Sequence, residues 1–144
     1  MRSGIHVIQL HGSELPEDCI GYGRPIIKAF HVSPEKSFPV FARYRVAGVL
    51  VDSGSREKWG GTGVPMDWDR LAEHLSTMGE TVRSRLVLAG GLSPKNVEQA
   101  IRSVRPFAVD VSSGVEDEPG KKNENLIKEF MHAVCNAGHG EATA

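Results

Sequence analysis

An α/β fold built on a parallel sheet is the class this sequence predicts, and three observations predict it. Five short β-branched runs recur along the chain, helical patterns separate the later ones, and the runs are apolar almost throughout, where half-exposed antiparallel strands would alternate. The length of 144 residues, with 40% hydrophobic and 24% charged, is that of one globular domain. The 17 Lys and Arg against 18 Asp and Glu leave a net charge of -1, so no basic field marks the chain for nucleic acid or an anionic membrane. No apolar run has the length of a membrane span, and Met1-Arg2-Ser3-Gly4 leads into a strand pattern without a signal-peptide core. The expected compartment is the cytoplasm. Cys19 and Cys135 have no C-x-x-C spacing, so neither a disulfide framework nor a zinc module is expected.

Taken in order, the first strand is expected at Ile5-His6-Val7-Ile8-Gln9-Leu10, ending at His11-Gly12. Residues 14–21 have room for a short helix before the second strand, Pro25-Ile26-Ile27-Lys28-Ala29-Phe30. Pro34 and Pro39 limit residues 33–44 to one or two turns. The third strand is Gly48-Val49-Leu50-Val51-Asp52. Asp67 is placed to cap a helix whose Trp68, Leu71, Leu75 and Met78 recur at three- or four-residue steps. After the fourth strand, Leu86-Val87-Leu88-Ala89, Ser93 caps and Pro94 opens a helix that buries Val97, Ala100, Ile101 and Val104. Phe107-Ala108-Val109-Asp110-Val111 is the fifth strand. The last helix starts near Asn123 and buries Leu126, Ile127, Phe130, Met131 and Val134, with Glu124 and Lys128 spaced for an ion pair. The expected division is a folded part over residues 1–136 and a disordered tail over 137–144.

This order leaves two architectures, an open doubly wound sheet or a (β/α)8 barrel. His11, Asp52, the Gly90-Gly91 pair and the stretch from Asp110 to Gly114 all stand at carboxyl ends of strands, and glycine-rich turns follow the last two. A barrel holds a phosphate there, so the barrel is favoured. In Leu88-Ala89-Gly90-Gly91-Leu92-Ser93-Pro94, backbone amides free of a Cβ have access to an anion at a helix start; a plain tight turn is the other reading. Val111-Ser112-Ser113-Gly114-Val115-Glu116 repeats the device with two hydroxyls. Asp52 leaves an apolar strand either as a proton donor raised in pKa by its wall or as the start of an Asx-turn. The loop Lys58-Trp59-Gly60-Gly61-Thr62-Gly63 suits a mobile lid or a disordered connection. His11 either lines the mouth or makes a structural hydrogen bond. His6, His31, His74, His132 and His139 have no ligand spacing, so no metal site is expected.

Gln9-Leu10-His11-Gly12, Leu50-Val51-Asp52-Ser53, Gly60-Gly61-Thr62-Gly63 with Asp67-Trp68, Leu88-Ala89-Gly90-Gly91-Leu92 with Asn96-Val97, and the run from Asp110 to Glu116 with Pro119-Gly120 follow one another in a recognisable order. Together they closely resemble phosphoribosylanthranilate isomerase, to about residue 134. The resemblance implies a (β/α)8 TIM barrel that converts N-(5'-phosphoribosyl)anthranilate to the carboxyphenylamino-deoxyribulose phosphate, an Amadori rearrangement in tryptophan biosynthesis, without metal or organic cofactor. It makes Asp52 the general acid that protonates the ribose ring oxygen. Gly90, Gly91, Ser113 and Gly114 would hold the phosphate, His11 would line the anthranilate side, Asp110 would help order the site, and the loop at Gly60 to Gly63 would cover it. Lys121-Lys122-Asn123 departs slightly from the family, which favours Lys-Asp at the last two positions.

The first strand here matches the family's fourth, so the resemblance implies a partial barrel of five parallel strands, family strands 4 to 8, with their helices. The family's general-base cysteine, in a Lys-Ile-Cys-Gly motif, and its arginine after the second strand have no counterpart, and Cys19 follows the wrong strand to replace the base. The expectation is a truncated isomerase, inactive alone, that self-associates through open edges or is completed by an N-terminal fragment. A non-catalytic phosphate-binding or self-assembling module is the alternative. Indole-glycerol-phosphate synthase, a third candidate, lacks the support of the Gln-Leu-His-Gly and Gly-Gly-Thr-Gly motifs.

Overall fold

In the computed structural model, which describes residues 4–32, 38–52 and 67–138, one sheet of five parallel strands follows the order of the sequence. The strands are β1 (Ile8–Leu10), β2 (Ile26–His31), β3 (Gly48–Asp52), β4 (Leu86–Ala89) and β5 (Ala108–Val109). Turns of 3-10 helix at Pro16–Cys19 and Phe41–Arg43 fill the first two connections. Helices α1 (Trp68–Ser76) and α2 (Glu80–Arg83) precede β4, α3 (Val97–Val104) precedes β5, and α4 (Glu124–Gly138) closes the described chain. Between β5 and α4 lies an antiparallel hairpin of β6 (Glu116–Glu118) and β7 (Lys121–Lys122). The strand order never turns back, whereas a doubly wound sheet reverses at its switch point. Consecutive parallel neighbours are the arrangement found in (β/α)8 barrels.

Side chains alternate along a strand, so register sorts the residues into two layers. On one face Ile26 and Phe30 of β2, Val49 and Val51 of β3, and Leu86 and Leu88 of β4 join Leu71, Leu75, Val97, Ala100, Val104 and Phe130 of the helices in one buried cluster. On the other face Ala29, Leu50 and Ala89 form a small second cluster with Ile27 and Val87. Strands apolar almost throughout imply a sheet covered on both faces. The described helices instead share one face, and the other is lined by small and aliphatic residues of the strands themselves.

Asp67 caps α1 as expected, its Oδ1 accepting the Arg70 N–H at 2.9 Å. The helix stops at Ser76, short of Met78, because Gly79 adopts φ 78° and starts α2, which the sequence reading missed. The regular part of α3 begins at Val97 and not at Pro94; the Ser93 carbonyl accepts both the Asn96 and Val97 amides in the preceding turn. At α4 the Asn123 side chain accepts the Asn125 and Leu126 amides at 2.8 and 3.0 Å, and Glu124 pairs with Lys128 at 2.6 Å. This helix reaches Gly138 with Ala137 buried, so the expected boundary at residue 136 falls inside it; residues 139–144 lie outside the described residues.

Departures concentrate at the two edges of the sheet. Ile5 and Val7, read as strand, precede the ladder and are 51% and 48% exposed, and Phe107 beside β5 is 75% exposed. An edge strand has one neighbour to hold it extended, and both edges are accordingly short. Ile127 and Met131 of α4, read as buried, are 41% and 53% exposed while Phe130 is buried. The α4 stripe facing α3 has a partner, and the adjacent one has none among the described residues.

Truncating Leu88 to Ala, fully buried against the helices, is expected to cost about 2–5 kcal/mol. Phe107→Ala, a larger deletion at an exposed site, is expected to stay within about 0.5 kcal/mol. Urea denaturation of the two variants checks the assignment of the core layer.

Candidate active site

The face without helices carries the polar groups. His31 and Asp52 are register partners at the carboxyl ends of β2 and β3, and Asp52 pairs in turn with Ala89 of β4. The Val32 amide donates to the Asp52 carbonyl at 2.9 Å, which continues the ladder past the side chains. Asp110 follows β5 directly, its amide on the Leu88 carbonyl at 2.8 Å. His11, exposed, follows β1. Asp52 is half-buried and Asp110 exposed. His31 has no ligand spacing in the sequence; the signal that marks it is its place at the end of an apolar run, as Asp52 stands at the end of the next.

Two turns stand at the same end. Gly90 and Gly91 leave β4 with φ 85° and 65°, a backbone conformation that side chains disfavour. Asn96 ties this turn down: its Oδ1 accepts the Ser93 amide at 2.8 Å and its Nδ2 donates to the Gly91 carbonyl at 2.9 Å. Buried Leu92 anchors the turn to the core. The second turn, Ser113–Val115, is a 3-10 turn anchored by buried Val115. Lys122 donates to the Ser112 carbonyl at 2.9 Å and pairs with Glu116, and the Asn123 amide donates to the Val115 carbonyl at 2.9 Å. The hairpin therefore braces the turn, a role not read from sequence.

The turns touch at Gly114. A Cβ there would lie 1.8 Å from the Leu92 carbonyl oxygen, far inside contact distance. Glycine at this position is what lets the loops after β4 and β5 pack together. Gly91 differs, since a Cβ there meets nothing within 4 Å and only its φ is demanding.

Charged groups around the site follow the same geometry. Glu14, in the loop after β1, is held below the usual carboxylate range by its own backbone amide, then by the Gly12 amide and the Lys28 ammonium. Lys122 and the Gly120 amide do the same for Glu116. Burial pushes the Cys19 thiol up, and Cys19 packs in the helix-side cluster, across the sheet from Asp52. Cys19 therefore does not share a face with Asp52. Among the described residues no group of three or more His, Cys, Asp or Glu is arranged to hold a metal, and no helix is long and apolar enough to cross a membrane. The expected lid at Gly60 to Gly63 lies outside the described residues.

Fold and site together define an α/β protein of barrel type, with acids and histidines at the carboxyl ends of parallel strands beside two packed glycine turns. Comparison with known proteins makes the class specific. The family described as N-(5'phosphoribosyl)anthranilate (PRA) isomerase matches residues 1–133, and the chain belongs to that family. An N-(5'-phosphoribosyl)anthranilate isomerase of Pelobacter propionicus is 45% identical over 140 residues, 97% of this chain and 64% of its own length. Its counterpart in Geobacter sulfurreducens is 43% identical over 90% of this chain and 61% of its own. The crystal structure of phosphoribosyl anthranilate isomerase from Thermotoga maritima superposes with a TM-score of 0.74 at 42% identity, covering 92% of this chain and 62% of that one. A phosphoribosyl anthranilate isomerase in complex with reduced 1-(o-carboxyphenylamino)-1-deoxyribulose 5-phosphate gives 0.69 at 39% identity, covering 92% and 60%. The chain thus spans a little over three fifths of these relatives.

The two glycines predict different responses. Gly114→Ala forces the turns apart and is expected to cost about 1–3 kcal/mol and to weaken binding of inorganic phosphate. Gly91→Ala is expected to cost about 1 kcal/mol through its backbone alone, and Gly91→Asn less, because Asn tolerates that conformation. Thermal unfolding and phosphate titration of the three variants check this.

Proposed function

We propose that this chain supplies the acid and phosphate-binding part of a phosphoribosylanthranilate isomerase site. The observation that carries the proposal is Asp52 at the carboxyl end of β3, on the helix-free face, beside the packed turns of Gly90-Gly91 and Ser113-Gly114. In this reading the turns take the 5'-phosphate of N-(5'-phosphoribosyl)anthranilate through backbone amides, His11 lines the anthranilate side and Asp110 helps order the mouth. Asp52 gives its proton to the ribose ring oxygen as the bond from that oxygen to the anomeric carbon breaks, and the open chain is left as an imine. A base must then take the proton from the neighbouring carbon to complete the aldose-to-ketose rearrangement. The general-base cysteine motif of the family is missing from this chain, and Cys19 packs on the wrong face. These 144 residues by themselves are therefore expected to bind without turning over, and the family's first three β/α units, joined to them or supplied separately, to complete the site. No cofactor is needed, and the cytoplasm is the compartment that suits the reaction.

A second reading, a phosphate-binding module that assembles with itself and has no catalytic partner, is favoured by one observation. Phe107 beside the β5 edge and Ile127 and Met131 of α4 are exposed, apolar groups of the kind that favour association. Solution mass and binding separate the two readings: a defined homo-oligomer that cannot take up the complementing polypeptide supports the module.

Reduced 1-(o-carboxyphenylamino)-1-deoxyribulose 5-phosphate tests the ligand directly. Calorimetry is expected to show binding to the chain, in competition with inorganic phosphate; no heat from either would sink both readings. In the complemented enzyme, Asp52→Asn is expected to lower kcat by about two to four orders of magnitude with folding intact, and near-normal turnover would refute the acid.

A further inference from the structure

Lys28 is the one charged residue buried among the described residues, 1% exposed on the helix side of β2, where its neighbours in the strand are apolar. Its Nζ donates to the Gly12 carbonyl at 3.0 Å and to the Ala29 carbonyl at 2.7 Å, and stands 3.1 Å from Oε2 of Glu14. The same Glu14 oxygen accepts the Gly12 amide at 2.9 Å. Both backbone polar groups of Gly12 are therefore held, the carbonyl by Lys28 and the amide by Glu14. The ring of Phe30, 4.8 Å from Nζ, closes over the ammonium. A Cβ at Gly12 would lie 2.8 Å from Oε1 of Glu14, so a side chain there would displace that carboxylate.

Stability does not explain this arrangement. Removing an ammonium from water is costly, and replacing a buried ion pair by apolar groups is often neutral or stabilising. What an apolar residue cannot do is grip Gly12, and the residue before Gly12 is His11. We propose that Lys28 and Glu14 are positioning residues that fix the loop after β1 so that the His11 imidazole meets the aromatic end of the substrate. The proposal rests on the reading of His11 given above, and it adds a specificity device on the far face of the sheet that neither composition nor spacing revealed.

The test is a double-mutant cycle on the 144-residue chain, with the reduced product analogue and inorganic phosphate as probes. Lys28→Met, which leaves Glu14 and the Gly12 carbonyl without their cationic donor, is expected to lower the thermal midpoint, to weaken the analogue about tenfold and to leave inorganic phosphate within about twofold. In a His11→Asn background the same substitution is expected to have no further effect on the analogue. Glu14→Gln should repeat the pattern and serves if Lys28→Met folds poorly. Unchanged analogue affinity in both variants, or an equal loss with and without His11, would overturn the proposal. If the unsubstituted chain binds no analogue, the substrate reading fails by itself, and NMR of the labelled chain decides the positioning claim. Shifted His11 ring resonances with faster Gly12 amide exchange in the variants support it, and unmoved signals refute it.

Discussion

The pairing of β2 with β3 decides which residues meet the helices and which meet the site. Its register sets Lys28 beside Val49 and Phe30 beside Val51, and in alternation Ala29 beside Leu50 and His31 beside Asp52. A slip of one residue would turn Val49 and Val51 out of the core and carry Asp52 into the helix layer. Complete burial of both valines against the helices opposes that slip. Hydrophobic packing on one side of the sheet thus holds an acid in place on the other, and the site inherits its precision from residues that never touch it.

The turns at the carboxyl ends depend on a different constraint, close approach of backbone to backbone. Gly114 lies against the Leu92 carbonyl, so the loop after β5 is seated on the loop after β4. Leu92 and Val115 fasten each loop to the core, and Asn96 and Lys122 fix their carbonyls from outside. Side chains build this frame around two glycine turns, and the proposed phosphate contacts would be made by the backbone amides of those turns.

Much of this was legible in the sequence. The interiors of β2, β3 and β4, the apolar stripes of α1 and α3, the Asp67 cap and the strand-end placement of Asp52, Gly90 and Gly91 follow from local pattern, because periodicity and turn chemistry act within a few residues. Less legible was whatever depends on neighbours distant in the chain. Ile5, Val7 and Phe107 have strand propensity, yet they lie just outside the paired residues of the edge strands, and Ile127 and Met131 have the right spacing for burial but stay exposed among the described residues. Lys28 stands inside the run of the second strand, and its partners Gly12 and Glu14 lie 16 and 14 residues away, beyond the reach of local pattern. Gly114 carried a turn signal, but its contact with Leu92 is tertiary and leaves no local mark.

The open edges and the functional reading point to the same gap. β1 and β5 are three and two residues long, Phe107 is exposed beside β5, and in the proposed function the step left without a residue is removal of a proton from carbon. In the proposed function the acid and the phosphate turns lie in these residues, and the base would come from β/α units outside them. Isomerase turnover of the purified chain, measured alone and after addition of a polypeptide carrying three β/α units of the same family, tests that claim most directly. The account predicts no turnover alone and turnover on mixing; turnover by the chain alone, or none with a partner that demonstrably binds it, would contradict it.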